Sequence, residues 1–190
     1  MNMTPRRYRQ RARADATETN TERILAAGLE LFVERPLEQV TLSAVAERAG
    51  VGLQTVIRRV GTKDGLIDAI GAWVNPQIAA DLGDPPGPHA GPVAAAFRRH
   101  YSRWAPVLHR TLQQEDSSPA LARAAAVGRT AHRAWLAAAF PHASPLTLKR
   151  MAGVTGVELW IVLTGHEHLS ASEAERTVEI LITAISENQA

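Results

Sequence analysis

The sequence predicts an all-α protein of about nine helices. Three observations carry that expectation. Runs of alternating apolar and polar residues bounded by turns are absent, so there is little to build a sheet from. Ala, Leu, Glu and Arg recur instead at helical spacing. Capping residues and Pro/Gly stops punctuate the chain at helix-length intervals. With 190 residues, 45% hydrophobic and 21% charged, the chain can bury a proper core without disulfides. It has no cysteine, which excludes thiol catalysis and cysteine-ligated zinc and fits a reducing compartment.

Residues 1–16 form a basic stretch. Arg6, Arg7, Arg9, Arg11 and Arg13 all precede the first acid, Asp15. "RRYRQRARADATETN" offers no apolar core for a signal peptide, and a flexible basic arm is expected here. Such an arm either solubilises the chain or follows a nucleic-acid backbone, entering a minor groove. Residues 1–70 hold eleven Lys+Arg against nine Asp+Glu, whereas residues 71–190 are balanced, so the excess charge sits at the N-terminal end. The longest apolar stretch, Met151 to Thr164, is too short to span a bilayer and contains Glu158; a cytoplasmic location is expected.

The first helix is expected from about Thr17 to Arg35. Ile24, Ala27, Gly28, Leu31 and Phe32 line one side and Pro36 stops it. "VTLSAVAERAG" then offers a cap at Thr41 or Ser43 and a stop at Gly50. "VGLQTVIRRV" is a second short helix entered through Gly52. Thr62 caps a longer one, "KDGLIDAIGAWVNPQIAADL", which Pro76 can kink. "GDPPGPHAGP" (83–92) has four prolines and three glycines and is read as a loop or linker. Beyond it, Val93, Phe97, Tyr101, Trp104 and Leu108 share a helix face, with Pro106 expected to split the run in two. The capping run Asp116, Ser117, Ser118 and Pro119 opens a helix from Pro119 to Phe140, and "HASP" opens one from 145 to 164. "LSASEAERTVEILITAISE" begins with a capping box, Ser170 with Glu173.

Two short helices joined at a glycine, the second polar on one side, make a helix-turn-helix pattern. In that arrangement the first helix crosses a DNA backbone and the second enters the major groove. Val56 and Val60, one turn apart, are expected to pack inward, leaving Leu53, Gln54, Ile57 and Arg58 outward. Spacing alone leaves an ordinary helical hairpin equally open.

Residues 23–66, "RILAAGLELFVERPLEQVTLSAVAERAGVGLQTVIRRVGTKDGL", resemble the DNA-binding domain of TetR-type transcriptional regulators. The likeness runs through the apolar stripe of the first helix, "VTLSAVAERAGV", Thr55 and "TKDGL". It implies a helix-turn-helix domain over 17–66 and a helical effector-binding and dimerisation domain over 67–190. It further implies a homodimer that represses from a near-palindromic DNA operator and is released by a small amphipathic or apolar molecule, without a cofactor. By position, Thr41 and Ser43 open the helix that touches phosphate, and Gly52 to Arg59 cover the recognition helix. Thr62 and Lys63 meet phosphate at the start of the fourth helix, where free N–H groups also favour an anion. Three positions depart from the pattern: Gly52 replaces a Ser or Thr cap, Ile57 a phosphate-binding tyrosine, and Val60 a phenylalanine. Arg59 is able to replace the missing phosphate contact. Arg58 and Gln54 remain as readers of guanine and adenine edges. Leu53 and Ile57 meet thymine methyl groups, or else Ile57 packs back against the first or fourth helix.

Trp73, Phe97, Tyr101, Trp104 and Trp135, with the polar His109, His132 and Glu158 among them, are the candidate effector pocket. Plain core is the alternative for the aromatics, and an ion pair with Arg129 or Arg133 is the alternative for Glu158. Gly153, Gly156, Val157 and Trp160, with the stripe Val178, Leu181, Ile182 and Ile185, are the candidate dimer face, suited to a four-helix bundle between subunits. An enzyme is not expected: "HEH" (166–168) lacks the spacing of helical zinc sites, and no catalytic constellation or metal site is found. A helical small-molecule-binding or interaction protein without sequence-specific DNA binding is the alternative function, and it leaves the arm and the recognition helix unexplained.

Overall fold

The computed structural model describes the backbone of residues 5–188 and the side chains of residues 18–188. Every regular element among them is helical. The chain divides into two compact units, Met1–Trp73 and Val74–Ala190, with the division falling inside one helix.

The first unit holds α1 (Pro5–Glu34), a 3₁₀ turn (Leu37–Gln39), α2 (Leu42–Ala49), α3 (Leu53–Val60) and the start of α4 (Lys63–Leu82). The α1 backbone begins at Pro5 rather than near Thr17. No residue between Pro5 and Glu34 breaks a helix, and proline is well suited to a first helical position. The side chains of Arg6, Arg7, Arg9, Arg11 and Arg13 lie outside the described residues, so the roles expected of them rest on sequence. Ile24, Leu31, Val45, Val56 and Leu66 are buried almost completely and form the centre of this unit. Gly28 lets α4 approach α1, because a Cβ there would stand 3.0 Å from Ile70 Cδ1 and 3.1 Å from Leu66 Cδ1.

The second unit comprises the rest of α4, α5 (Ala90–Gln113), a 3₁₀ turn (Glu115–Ser117), α6 (Pro119–Ala139), α7 (Pro145–Val154), α8 (Val157–Ile161), a π-turn (Val162–His166) and α9 (Ala171–Glu187). Its caps follow the sequence. Ser118 and Ser144 accept from first-turn N–H groups ahead of a proline, and Ser170 with Glu173 forms the reciprocal capping box. The core of this unit gathers Val93, Phe97, Tyr101, Leu136, Met151, Trp160 and Ile182, with α5 packed extensively on α9.

Two helix boundaries differ from expectation. Pro106 does not split α5. Its ring and the carbonyl at Ser102 that loses a partner both lie on the exposed side, while Tyr101, Trp104 and Ala105 are buried around it. The carbonyl faces solvent, and packing holds the helix together. The apolar run 145–164 is not one helix. It breaks at Thr155 and Gly156, where the backbone turns extended (Gly156 φ −70°, ψ 153°) before α8 begins. Tyr101 Oη donates to Thr155 O at 2.7 Å, occupying the carbonyl that a continuous helix would offer to residue 159.

Candidate nucleic-acid interface and effector site

The loop between α2 and α3 is set by backbone chemistry. Thr41 Oγ1 accepts from Ala44 N–H at 3.1 Å and starts α2. Gly50 ends it in the left-handed conformation (φ 63°), where a side chain would be strained. Arg23 reaches from α1 to Gly50 O at 3.5 Å. Arg48 fixes α2 to α1 more firmly, with paired bonds of 2.8 and 2.9 Å to Glu34 and one of 3.3 Å to Glu30. The Arg48 guanidinium holds the Glu34 carboxyl below its ordinary range.

On this frame α3 turns Val56 and Val60 inward, with Gly52 as an N-cap that contributes no side-chain bond. Gln54, Arg58 and Arg59 are exposed and Thr55 is half-buried. Leu53 and Ile57 are 40% and 39% exposed. Ser43, like Thr41, is exposed at the start of α2, and Thr62 is exposed where its Oγ1 caps α4 by accepting from Gly65 N–H at 3.0 Å. Gly65 is required by close approach, since a Cβ would fall 2.1 Å from Val60 O.

Lys63 has a task that sequence reasoning missed. Its Nζ donates to Leu37 O at 2.8 Å and Glu38 O at 3.1 Å, closing the 3₁₀ turn that precedes α2. An ammonium with three donors can keep both bonds and still face an anion with the third. The signal was the short loop after Pro36, whose carbonyls needed donors from somewhere.

In the second unit, buried Tyr101 and Thr155 and half-buried His132 form a node. Thr155 Oγ1 donates to Met151 O at 2.8 Å, which commits its single proton. His132 Nε2, 2.8 Å from the same oxygen, must therefore carry a hydrogen and donate. Phe97 packs edge-on to both His132 and Trp135, with centroids 5.2 Å away in each case, and stacks on Tyr101 at 5.7 Å. Trp160 closes on Tyr101 at 5.9 Å. Burial drives His132 down to about 4, with the positive charges of His100 and Arg133 acting the same way. Burial also lowers His100 to about 4 against the pull of Asp81, and raises the Tyr101 phenol with help from Glu158.

Phe97, Tyr101, His132 and Trp135 of the expected pocket thus come together. The concavity beside them, lined by Phe97, Tyr101, Thr155 and Trp160 among others, has room for about one water molecule. Trp104 lies apart from it, donating to Asp81 at 2.7 Å beneath the Arg103 guanidinium. Trp73 is half-buried in the first unit and His109 half-buried farther along α5. Glu158 is exposed, and Arg129, one partner expected for it, pairs instead with Glu115 at 2.7 Å. Thr155 and His100 were missed; a threonine beside a glycine inside an apolar run was the available sign of a helix break.

The residues expected at a dimer face differ in how far they are exposed. Val157, Trp160, Val178 and Ile182 are at most 6% exposed and pack into the core of the second unit. The apolar stripe of an amphipathic helix faces its nearest core first. Gly153 is exposed, Gly156, Leu181 and Ile185 are half-buried, and the exposed aliphatics of these helices are Leu146, Val162 and Ile180.

Comparison with known proteins agrees with this geometry. Residues 24–70 match the family model of bacterial regulatory proteins, tetR family. No curated protein matches the chain. Among solved structures, a transcriptional regulator from Rhodococcus sp. Rha1 superposes with a TM-score of 0.72 at 22% identity, over 88% of this chain and 96% of that one. A member of the TetR family from Streptomyces coelicolor A3 gives 0.68 at 21% identity, over 86% and 98%. The multidrug binding protein EbrR, complexed with imidazole, gives 0.65 at 22% identity, over 86% and 88%. Residues 24–70 therefore match the tetR family model, and the chain has the fold of these solved structures.

Proposed function

We propose that the protein is a sequence-specific DNA-binding transcriptional regulator. It binds a near-palindromic operator as a homodimer, represses from it, and leaves it when a small amphipathic or apolar molecule enters the second unit. One observation carries the reading: α3 is anchored by Val56 and Val60 while Gln54, Arg58 and Arg59 stand exposed on a tetR-type domain. Gln54 suits the adenine edge and Arg58 the guanine edge, and Arg59, Thr41, Ser43, Thr62 and Lys63 suit phosphate. A single eight-residue helix spans few base pairs, so a second subunit is needed for affinity and half-site spacing. Leu146, Val162 and Ile180 offer that subunit an apolar contact.

EbrR, of the same fold, is a multidrug binding protein that holds imidazole. The aromatic cluster around Phe97 and Tyr101 would suit such a ligand here, after side chains move to enlarge the small concavity. Selection of bound duplexes from random DNA tests the proposal. An enriched sequence with two-fold symmetry supports it, and binding that responds to salt but enriches nothing overturns it.

A further inference from the structure

The recognition helix shows two parallel rows. Gln54 and Arg58 make one, and Leu53 and Ile57 the other, each pair one turn apart. The aliphatic row is 40% and 39% exposed, whereas Val56 and Val60 on the same helix are 0% and 9% exposed. Packing within the domain therefore accounts for the valines and leaves about two fifths of Leu53 and of Ile57 open. Two side chains beside Gln54 and Arg58 are far too small an apolar area for a protein partner, which needs about 800 Å² per side. The flanking guanidiniums call for a polyanion instead.

Within the major groove, the apolar feature on a base edge is the 5-methyl group of thymine. 5-Methylcytosine carries a methyl on the same ring carbon. We infer that Leu53 and Ile57 form a dedicated reader of pyrimidine 5-methyl groups, taking two of them in each half-site. The inference rests on the DNA-binding function proposed above. Leu53 and Ile57 stand one turn apart, about 6 Å along the helix, so each reaches a different base. The two methyl-bearing pyrimidines therefore lie at different positions of the half-site, beside the purine that Gln54 or Arg58 reads. Aliphatic contact cannot tell thymine from 5-methylcytosine, so cytosine methylation within the half-site alters binding, whereas the amide and guanidinium rows respond to hydrogen-bonding edges alone.

The test uses the full-length protein and the operator obtained by selection. Thymines in the half-site are replaced singly by uracil, and cytosines singly by 5-methylcytosine. Wild type is expected to lose about four-fold in affinity per critical thymine methyl removed, the size expected for burying one methyl group. Uracil at two positions of the half-site is expected to show this loss. Ile57→Ala and Leu53→Ala should each abolish the thymine-uracil difference at one of the two positions while leaving the melting temperature unchanged. Wild type that binds uracil and thymine operators equally overturns the methyl reader, even where Gln54→Ala still shifts base preference and the regulator stands. Loss of discrimination in neither alanine variant overturns it as well. Failure to enrich any operator is a different result and strikes the underlying function.

Discussion

Acid should unfold this protein earlier than its carboxylates alone would require. An ordinary histidine titrates near 6.5. His100, buried, and His132, half-buried, are both held down to about 4 in the second unit. Above pH 6.5 both imidazoles are neutral whether the chain is folded or not, and stability is complete. Between 6.5 and 4 the unfolded chain binds protons that the folded chain refuses, so stability falls as pH drops. Each imidazole contributes about 1.4 kcal/mol per pH unit over that window. At pH 5 the loss is about 2 kcal/mol per histidine and about 4 for the pair, against a typical total of about 5–15. Asp81 opposes the effect at His100, while Arg133 and the mutual repulsion of the two imidazoliums reinforce it at His132. Urea denaturation midpoints from pH 7.5 to 5 measure the slope in wild type and in the His100→Gln/His132→Gln double variant. Glutamine keeps a donor for Thr155 Oγ1 but does not titrate. The variant should flatten the dependence across this window. A flat wild-type profile, or an equal slope in both proteins, would refute the burial argument.

Three further substitutions probe the frame. Lys63→Ala removes two bonds to the Leu37 and Glu38 carbonyls and should cost about 1–2 kcal/mol in DNA-free protein, besides weakening all DNA sequences alike; an unchanged melting temperature would leave Lys63 with phosphate only. Gly65→Ala drives a Cβ to 2.1 Å from Val60 O and should destabilise by about 2–3 kcal/mol, with loss of operator binding; thermal unfolding by circular dichroism checks it. Thr155→Val keeps the shape but orphans the His132 N–H, and should cost about 1–3 kcal/mol in urea; a neutral result would mean that the node contributes nothing.

Local chemistry made much of the chain legible from its letters. Thr41, Thr62, Ser118, Ser144 and Ser170 cap the helices that their spacing announced, and Lys63–Leu82 has the bounds its capping and stop signals implied. Such signals act within one turn of helix and need no distant partner. The inward turn of Val56 and Val60 and the outward turn of Leu53, Gln54 and Arg58 followed from helical periodicity alone. Tertiary contacts decided the rest. Periodicity marks Val178 and Ile182 as apolar but cannot say whether their partner is α5 of the same chain or a second subunit; the fold spends them on its own core. A residue 54 positions away, Tyr101, takes the Thr155 carbonyl and helps break a run that looks helical throughout. Lys63, likewise, bonds carbonyls 26 and 25 positions earlier. Sequence by itself determined where the helices start and which faces are apolar, because those choices are settled by neighbours along the chain. Which apolar face is covered, which carbonyl is claimed and which histidines lose their charge depended on groups that only folding brings together.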